Sequence, residues 1–239
     1  MTARSVVLSV LLGAHPAWAS AAELIRLTSD FDIREPTLRV ALTRMVGAGD
    51  LVRSADGYRL SDRLLMRQRR QDDAVHPRLT VWDGIWTTLV ITSVGEDPRS
   101  RATLRKLLQD SRFGELREGI WLRPANLRAE LPDEVAARVR VLHSRDDAAS
   151  ELAGQLWDLP SWAGHARALL AEMAAAGDVP GRFVAAAGMV RHLLADPVLP
   201  DELLPRRWPG DELRDAYAEF AAELTARRDE TDHAEVAKK

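Results

Sequence analysis

The chain contains no cysteine among its 239 residues. Disulfide bonds, zinc sites with cysteine ligands and thiol catalysis are therefore excluded. No apolar run approaches the roughly 18 residues that indicate a membrane-spanning helix. The six histidines are scattered, and none lies at the short spacing of metal ligands: they occupy positions 15, 76, 143, 165, 192 and 233. We expect neither a bound metal nor a cofactor.

The sequence also lacks the motifs of common enzyme classes. It has no G-x-S-x-G elbow, no Walker A loop, no dinucleotide-binding glycine fingerprint and no H-E-x-x-H pair. Hydrophobic residues make up 46% of the chain and charged residues 29%, which is an ordinary globular balance. We therefore expect a folded protein that is not an enzyme.

Charge is distributed unevenly along the chain. The formal net charge is −3, yet residues 34–70 contain nine arginines and four carboxylates and so carry +5. The rest of the chain must then carry −8. A basic segment in an acidic protein is the electrostatic pattern of nucleic-acid binding.

The first twenty residues allow two interpretations. One arginine, an apolar run and a small-x-small site before Ser20 resemble a secretory signal peptide, which would make the chain an exported interaction protein. The apolar residues also recur at helical spacing, which indicates a buried amphipathic helix: they are Val6, Val7, Val10, Leu11 and Ala14. We favour the helix and a cytoplasmic protein, because the segment that follows needs a partner to cover its apolar face.

A second and a third helix are predicted at residues 19–27 and 34–47, with Pro36 in the first turn of the third. One side of the third helix is apolar and holds Leu38, Ala41, Leu42 and Met45. The other side holds Pro36, Arg39, Val40, Thr43 and Arg44, with Thr37 beside them. Two arginines and two hydroxyls on one face suit a DNA major groove, although an exposed helix face is the plainer interpretation.

A hairpin is predicted directly after the third helix. Residues 51–53 and 58–60 flank Ser54-Ala55-Asp56-Gly57, and Asp-Gly between two short alternating runs is a strong hairpin signal. Three helices followed by a hairpin form the order of a winged helix-turn-helix, with a further helix at 61–71. Arg53 and Arg59 would lie on the wing, in contact with phosphate or the minor groove; the alternatives are salt bridges across the strands or exposure to solvent. The predicted DNA-binding residues are Arg34, Thr37, Arg39, Thr43, Arg44, Arg53 and Arg59.

Beyond a polar boundary at 71–78, the pattern changes to mixed strands and helices. Strands at 86–94, 116–123 and 138–143 and a helix at 99–108 give a β-α-β-β order, which suggests a ferredoxin-like α/β domain. Helices follow at 149–156, 164–176, 183–194 and 211–228, and the charged tail 229–239 is expected to fray. We predict a multi-domain α+β protein with a DNA-binding domain at 1–73, a middle domain at 78–146 and a helical C-terminal domain at 147–239.

The joint order of several short segments resembles the PaaX family of bacterial regulators, named for repression of phenylacetic acid degradation. In the first domain these are Leu38–Met45, Gly49, Leu51, Gly57-Tyr58 and Leu60; in the middle domain they are Trp82–Trp86, Phe113–Leu116 and Gly119–Pro124. Near the end they are Trp157–Leu159, Arg182-Phe183, Leu194–Pro197, Leu199-Pro200, Leu203–Pro205 and Trp208–Gly210. Each segment alone is weak evidence for the family, whereas the joint order of the segments is specific to it.

The resemblance implies a winged-helix domain, a middle domain similar to the Cas2 fold and a helical C-terminal domain. It also implies a dimeric repressor that an aryl-CoA thioester, such as phenylacetyl-CoA, releases from an operator. Candidate effector-binding residues in the family-like segments are Trp82, Trp86, Trp121, Arg123 and Arg182. Core packing and internal salt bridges are alternative roles for these five residues. The small segment Ala185–Gly188 departs from the family pattern and bears on the choice of effector.

A Cas2-like metal-dependent nuclease is the alternative from another class. Its chemistry needs a carboxylate at the end of the first strand to hold a hard cation. Here the strand ends in Ile91-Thr92-Ser93-Val94, Asp83 precedes it, and Glu96 and Asp97 follow in a loop. The pattern therefore favours the regulator.

Overall fold

The computed structural model describes residues 1–93, 95 and 97–236, and the chain divides into two compact units. Unit 1 comprises Met1–Val75, Leu169–Val190 and the chain from Glu212 onward, and unit 2 comprises His76–Ala168 and Arg191–Asp211. Among the described residues, no helix combines the length and the apolar character needed to cross a membrane.

The N-terminal part of unit 1 alternates helices with short strands. Its elements are α1 (Ala3–Gly13), β1 (Trp18–Ser20), α2 (Ala21–Ser29), α3 (Glu35–Gly47), β2 (Leu51–Arg53), β3 (Gly57–Leu60) and α4 (Asp62–Val75). Helix α2 begins two residues later than predicted, because Ser20 caps it: the Ser20 hydroxyl accepts from the Glu23 N–H at 3.1 Å, and the Glu23 carboxylate accepts from the Ser20 N–H at 2.6 Å.

The three strands form an antiparallel sheet in the order β1-β3-β2. The hairpin of β2 and β3 matches the sequence prediction, whereas β1 was not predicted. Gly57 lies in β3 opposite Ser20, and a side chain there would collide with the Ala19 carbonyl oxygen. The absence of a side chain at Gly57 therefore allows β1 to approach β3 closely, in addition to the role of the glycine in the hairpin.

The apolar core of unit 1 joins the two ends of the chain. Val6, Val7 and Leu11 of α1 are fully buried with Leu38 of α3. The same cluster holds residues from the C-terminal helices, namely Phe183, Ala186 and Phe220, with Met173, Tyr217 and Leu224 packed against it. Unit 1 is thus built from both ends of the chain.

Unit 2 contains a four-stranded antiparallel sheet. Its elements are β4 (Trp86–Ile91), α5 (Pro98–Asp110), β5 (Gly114–Arg117), β6 (Ile120–Pro124), α6 (Asp133–Ala136) and β7 (Val139–Ser144). The strand order β5-β6-β4-β7 completes a ferredoxin-like β-α-β-β-α-β arrangement. The prediction of one strand at 116–123 is wrong: Gly119, with φ of +80°, turns the chain between β5 and β6. Val94, the predicted end of the first strand, lies outside the described residues.

The remaining elements are helical. They are α7 (Ala149–Leu156), α8 (Leu159–Ala175), α9 (Val179–Leu193), a single 3-10 turn at Asp201–Leu203 and α10 (Gly210–Val236). Helices α8 and α9 begin earlier than predicted, because Pro160 and Pro180 lie in their first turns, where a missing N–H is tolerated. Helix α10 continues past residue 228 through most of the segment predicted to fray, and residues 237–239 lie outside the described part.

Candidate nucleic-acid interface

Helix α3 separates a buried face from an exposed one as its periodicity predicts. Leu38, Leu42 and Met45 are at most 2% exposed. The exposed residues are Glu35, Pro36, Thr37, Arg39, Val40, Thr43, Arg44 and Gly47. Arg34 is exposed too, as the extended N-cap residue, and its side chain makes no cap hydrogen bond. The helix therefore presents basic, hydroxyl and apolar groups, together with the carboxylate of Glu35, on its outward surface.

The polar groups of this surface differ in how they are held. Arg39 forms a salt bridge with Glu35 one turn earlier, with Nη2 and Oε1 2.6 Å apart. The Thr43 hydroxyl donates to the Arg39 carbonyl at 3.0 Å. Among the described residues, Arg44 has no ionic partner. Of the two arginines within α3, Arg44 is thus more available than Arg39 to an external ligand.

One residue of this surface was not among the residues predicted to contact DNA. Val40 lies between the polar groups and is 51% exposed, which is unusual for a β-branched apolar side chain. In the sequence, it was visible as an apolar residue on the otherwise polar side of the third predicted helix. A methyl-bearing side chain at that place can contact the methyl group of thymine.

The hairpin presents two further arginines. Arg53 is exposed and, within the described part of the chain, has no ionic partner. Arg59 is exposed and lies 4.0 Å from Asp62, a long separation for an ion pair. Neither arginine forms the alternative cross-strand salt bridge, because Arg53 faces Tyr58 and Arg59 faces Val52 and Trp18. The Trp18 indole N–H instead donates to the Ser54 hydroxyl at 3.2 Å, which fixes β1 to the hairpin loop.

Not every arginine of the basic segment points to solvent as a free cation. Asp50 is 3% exposed and accepts from Arg63 at 2.6 Å and from Arg4 at 2.8 Å. This buried carboxylate ties α1, α4 and the loop after α3 together. Arg63 therefore contributes to the scaffold behind the candidate interface.

The residues predicted to bind an effector do not come together in one place. Trp86 is fully buried, stacks on Trp157 at 6.4 Å between ring centroids and contacts the edge of Trp82 at 6.1 Å. Trp82 is half-buried, and its indole N–H donates to the Ile85 carbonyl at 2.6 Å. These tryptophans cluster on one face of the unit 2 sheet.

Trp121 and Arg123 lie on the other face of that sheet, because Trp121 is paired with Leu89 and Trp86 with Pro124. The Arg123 guanidinium lies 4.7 Å from the Phe113 ring centroid and donates to the carbonyls of Ser111 at 3.0 Å and Ala129 at 3.1 Å. Burial, reinforced by the charge of Arg112, lowers the pKa of Arg123 to about 10.

Arg182 belongs to unit 1 and forms a two-bonded ion pair with Glu223, with distances of 2.5 and 3.0 Å. The five residues thus lie in three different environments. Of the five, Trp82 and Trp86 are in contact with each other.

The carboxylates considered for a nuclease site have structural partners. Asp83 accepts from the Ile85 N–H at 3.1 Å and pairs with Arg145 at 3.8 Å. Asp97 caps α5, and hydrogen bonds from the backbone N–H groups of Ser100 and Arg99 lower its pKa. Glu96 lies outside the described residues. Within the described part, no three His, Asp or Glu side chains form a group that could hold a metal ion.

Comparison with known proteins places the chain in a family. The model described as "PaaX-like protein" matches residues 2–64, the "PaaX protein central Cas2-like domain" matches 79–151, and the "PaaX-like protein C-terminal domain" matches 160–234. The chain belongs to the PaaX family. The resemblance drawn from the sequence is confirmed, and the ferredoxin-like sheet of unit 2 is consistent with the Cas2-like domain of PaaX proteins.

Among solved structures, the chain is similar to the uncharacterized protein Rv0674 from Mycobacterium tuberculosis. The two are 66% identical with a TM-score of 0.87, and the match covers 97% of this chain and 99% of that one. No curated protein matches the chain. Membership of the PaaX family suggests a PaaX-like regulator.

Proposed function

We propose that this PaaX-family protein is a DNA-binding transcriptional regulator whose residues 1–73 act as a winged helix-turn-helix domain. The exposed face of α3 carries the proposal, because it combines an unpaired arginine, a hydroxyl and an exposed valine on a helix anchored by three buried side chains. A helix of this kind fits the major groove. Helix α3 is then the recognition helix, and the hairpin of β2 and β3 is the wing.

The contacts divide by chemistry. Arg44 is suited to a bidentate hydrogen-bonded contact with the O6 and N7 acceptors of guanine. Val40 is suited to an apolar contact with a thymine methyl group. Arg34, at the start of α3, and Arg53 and Arg59, on the hairpin, are suited to phosphate oxygens. Thr37, Arg39 and Thr43 complete the proposed surface, with Arg39 exchanging Glu35 for a DNA acceptor.

We also propose a homodimer in which β7 of two copies pair. Directly beyond the last β4–β7 pair, Ile91 and Val139, the Thr92 N–H donates to the Arg138 carbonyl at 2.9 Å. Because hydrogen-bonded residues alternate along an antiparallel strand, Val139, Val141 and His143 turn their backbone groups to the free edge. Val141 and Leu142 are also 44% and 45% exposed. An exposed edge of this kind is a template for another strand.

A second copy of β7 fits this edge when the two strands run antiparallel about Val141. All three outward-facing residues then pair, and Arg140 lies opposite Leu142 of the second copy. A register centred on Arg140 would instead oppose two arginines, which is unfavourable. A two-fold dimer also suits a regulator, because operators read by such domains contain two related half-sites.

Membership of the PaaX family supports a further proposal about the output and the effector. We propose that the protein is a cytoplasmic repressor of an aromatic or acyl-acid catabolic operon, and that a CoA thioester releases it from DNA. The middle domain at 78–146 and the helical domain at 147–239 would then supply the dimer contact and the effector response. Of the candidate tryptophans, Trp82 is the half-buried one, so its side chain is the one an effector can reach.

Duplex binding by three proteins tests the proposed function: wild type, Arg44→Ala and the matched control Arg117→Ala. Arg117 is exposed, is distant in sequence and lies on β5 of unit 2. The probe is a duplex that the wild-type protein selects from a random pool. Arg44→Ala should weaken binding by about 1–3 kcal/mol, and Arg117→Ala should leave it unchanged. Equal effects of the two variants would reject α3 as the reading helix.

A further inference from the structure

The turn between α2 and α3 is short and is closed by bonds to α2. The backbone N–H groups of Phe31 and Ile33 donate to the Thr28 carbonyl at 3.1 and 3.3 Å, and that of Asp32 donates to Ser29 at 3.1 Å. Asp32 has φ of +57°, a left-handed conformation that non-glycine residues seldom adopt. The direction in which α3 leaves the turn therefore depends on a few residues.

Two residues of this turn contact the C-terminal helices of unit 1. The Phe31 ring meets the Phe183 ring of α9 edge to face, with centroids 4.9 Å apart and an interplanar angle of 69°. Asp30 lies 3.4 Å from the Arg227 guanidinium of α10. An apolar contact and an ionic contact thus hold the same turn from two helices.

The two C-terminal helices are themselves locked together. Arg182 of α9 pairs with Glu223 of α10 and lies over the Phe220 ring at 5.6 Å. Phe183 contacts Phe220 edge to face at 6.3 Å. Phe183 and Phe220 are 3% and 7% exposed, so this lock is part of the core of unit 1. Packed side chains therefore connect both helices to the turn, and the direct ring contact with Phe31 comes from Phe183.

We propose that Phe183 and Arg227 are positioning residues for DNA recognition: through Phe31 and Asp30 they set the placement of α3. The proposal rests on the proposed function and names the regulation of that same site. A state of the protein that shifts α9 or α10 changes the population of molecules whose α3 is placed for sequence reading. Non-specific attraction to phosphates needs no such placement.

The first test compares Phe183→Leu with Phe220→Leu in the full chain. Both changes remove an aromatic ring from the same cluster, but only Phe183 is in ring contact with Phe31. We expect similar falls in Tm for the two variants. Phe183→Leu should weaken binding to the selected duplex by roughly 5-fold or more and leave binding to a random duplex unchanged. Adding Phe31→Leu to Phe183→Leu should cause no further loss, because both remove one contact.

A second test uses the exposed pair Asp30 and Arg227, whose side chains are 44% and 54% exposed, so that the fold is maintained. Asp30→Asn removes a negative charge close to α3. Simple electrostatics predicts tighter DNA binding, whereas positioning predicts weaker binding to the selected duplex.

The results overturn the inference if Phe183→Leu and Phe220→Leu change duplex binding equally, or if Asp30→Asn tightens it. A wild-type protein that does not distinguish the selected from the random duplex would remove the proposed function itself. That failure is recognised before any variant is made.

Discussion

Trp86 and Trp121 point to opposite faces of one sheet, although both lie on adjacent strands. Trp86 is paired with Pro124, and Trp121 is paired with Leu89. Trp86 and Leu89 are separated by an odd number of positions on one strand, so their side chains, and those of their partners, point to opposite faces. Both are at most 2% exposed. A ligand on one face of this sheet cannot stack on both rings.

This separation sharpens the effector proposal. If a CoA thioester binds beside Trp82 and Trp86, addition of phenylacetyl-CoA should quench tryptophan fluorescence in the wild type and in Trp121→Phe. The quenching should be much smaller in Trp82→Phe, because Trp82 is the accessible indole of the cluster. Quenching that disappears in Trp121→Phe and persists in Trp82→Phe would move the site to the opposite face.

The stability of α1 should depend on Gln68. Its amide is buried and donates to the carbonyls of Leu11, Leu12 and Ala14 at 3.2, 3.1 and 2.8 Å at the end of α1, where the Leu11 carbonyl also accepts from the Ala14 N–H at 3.4 Å. Gln68→Leu should lower the free energy of unfolding by about 1–3 kcal/mol in urea titrations. Gln71→Leu, a half-buried position on the same helix, is the control, and an equal loss there would contradict the capping role.

The proposed dimer can be tested with proline. The N–H of Val141 faces the free edge of β7, so Val141→Pro should leave the pairing of β7 with β4 intact while blocking the second copy. Light scattering should show a monomer for this variant and a dimer for the wild type and for Val141→Thr. A dimer in all three proteins would place the contact elsewhere.

Mild acid should destabilise unit 2 through His192. The His192 ring stacks on Trp162 with centroids 4.4 Å apart, and burial lowers its pKa below the ordinary value of 6.5. His165 acts in the same direction, and the Trp162 carbonyl and Asp196 oppose it. The unfolded chain therefore binds the proton first, so the free energy of unfolding falls as the pH drops below 6.5.

The variant His192→Phe keeps a ring at this place and cannot titrate. Urea titrations at about pH 7.5 and 5.5 should show a smaller loss of stability in this variant than in the wild type. Identical losses in the two proteins would remove His192 as a source of the pH dependence.

The first three helices and the hairpin could be predicted from the sequence, because their signals are local. The spacing of Leu38, Leu42 and Met45 predicts the buried face of α3, and Pro36 marks its first turn. Strand β1 escaped prediction because three residues show no alternation, and its pairing depends on the absence of a side chain at Gly57.

Two other features depend on contacts between distant parts of the chain. The packing of Phe183 and Phe220 beside α1 and α3 leaves no periodic signal in the first domain, so the sequence did not indicate that the C-terminal helices complete that core. The face on which a tryptophan lies depends on strand register. The sequence prediction placed one continuous strand at 116–123. The turn at Gly119 divides this segment into two paired strands, so the register of Trp121 could not be read from the prediction.

The most direct measurement of the central claim is the salt dependence of wild-type binding to duplex DNA, followed by fluorescence anisotropy between about 50 and 200 mM salt. A regulator that docks α3 and the hairpin on phosphates should lose affinity steeply, with log K falling by about 0.9 per phosphate contact for each unit of log salt. The selected duplex should also bind more tightly than a random one at every salt concentration. Absence of binding, or an affinity that does not change with salt, would contradict the proposal that this protein is a DNA-binding regulator.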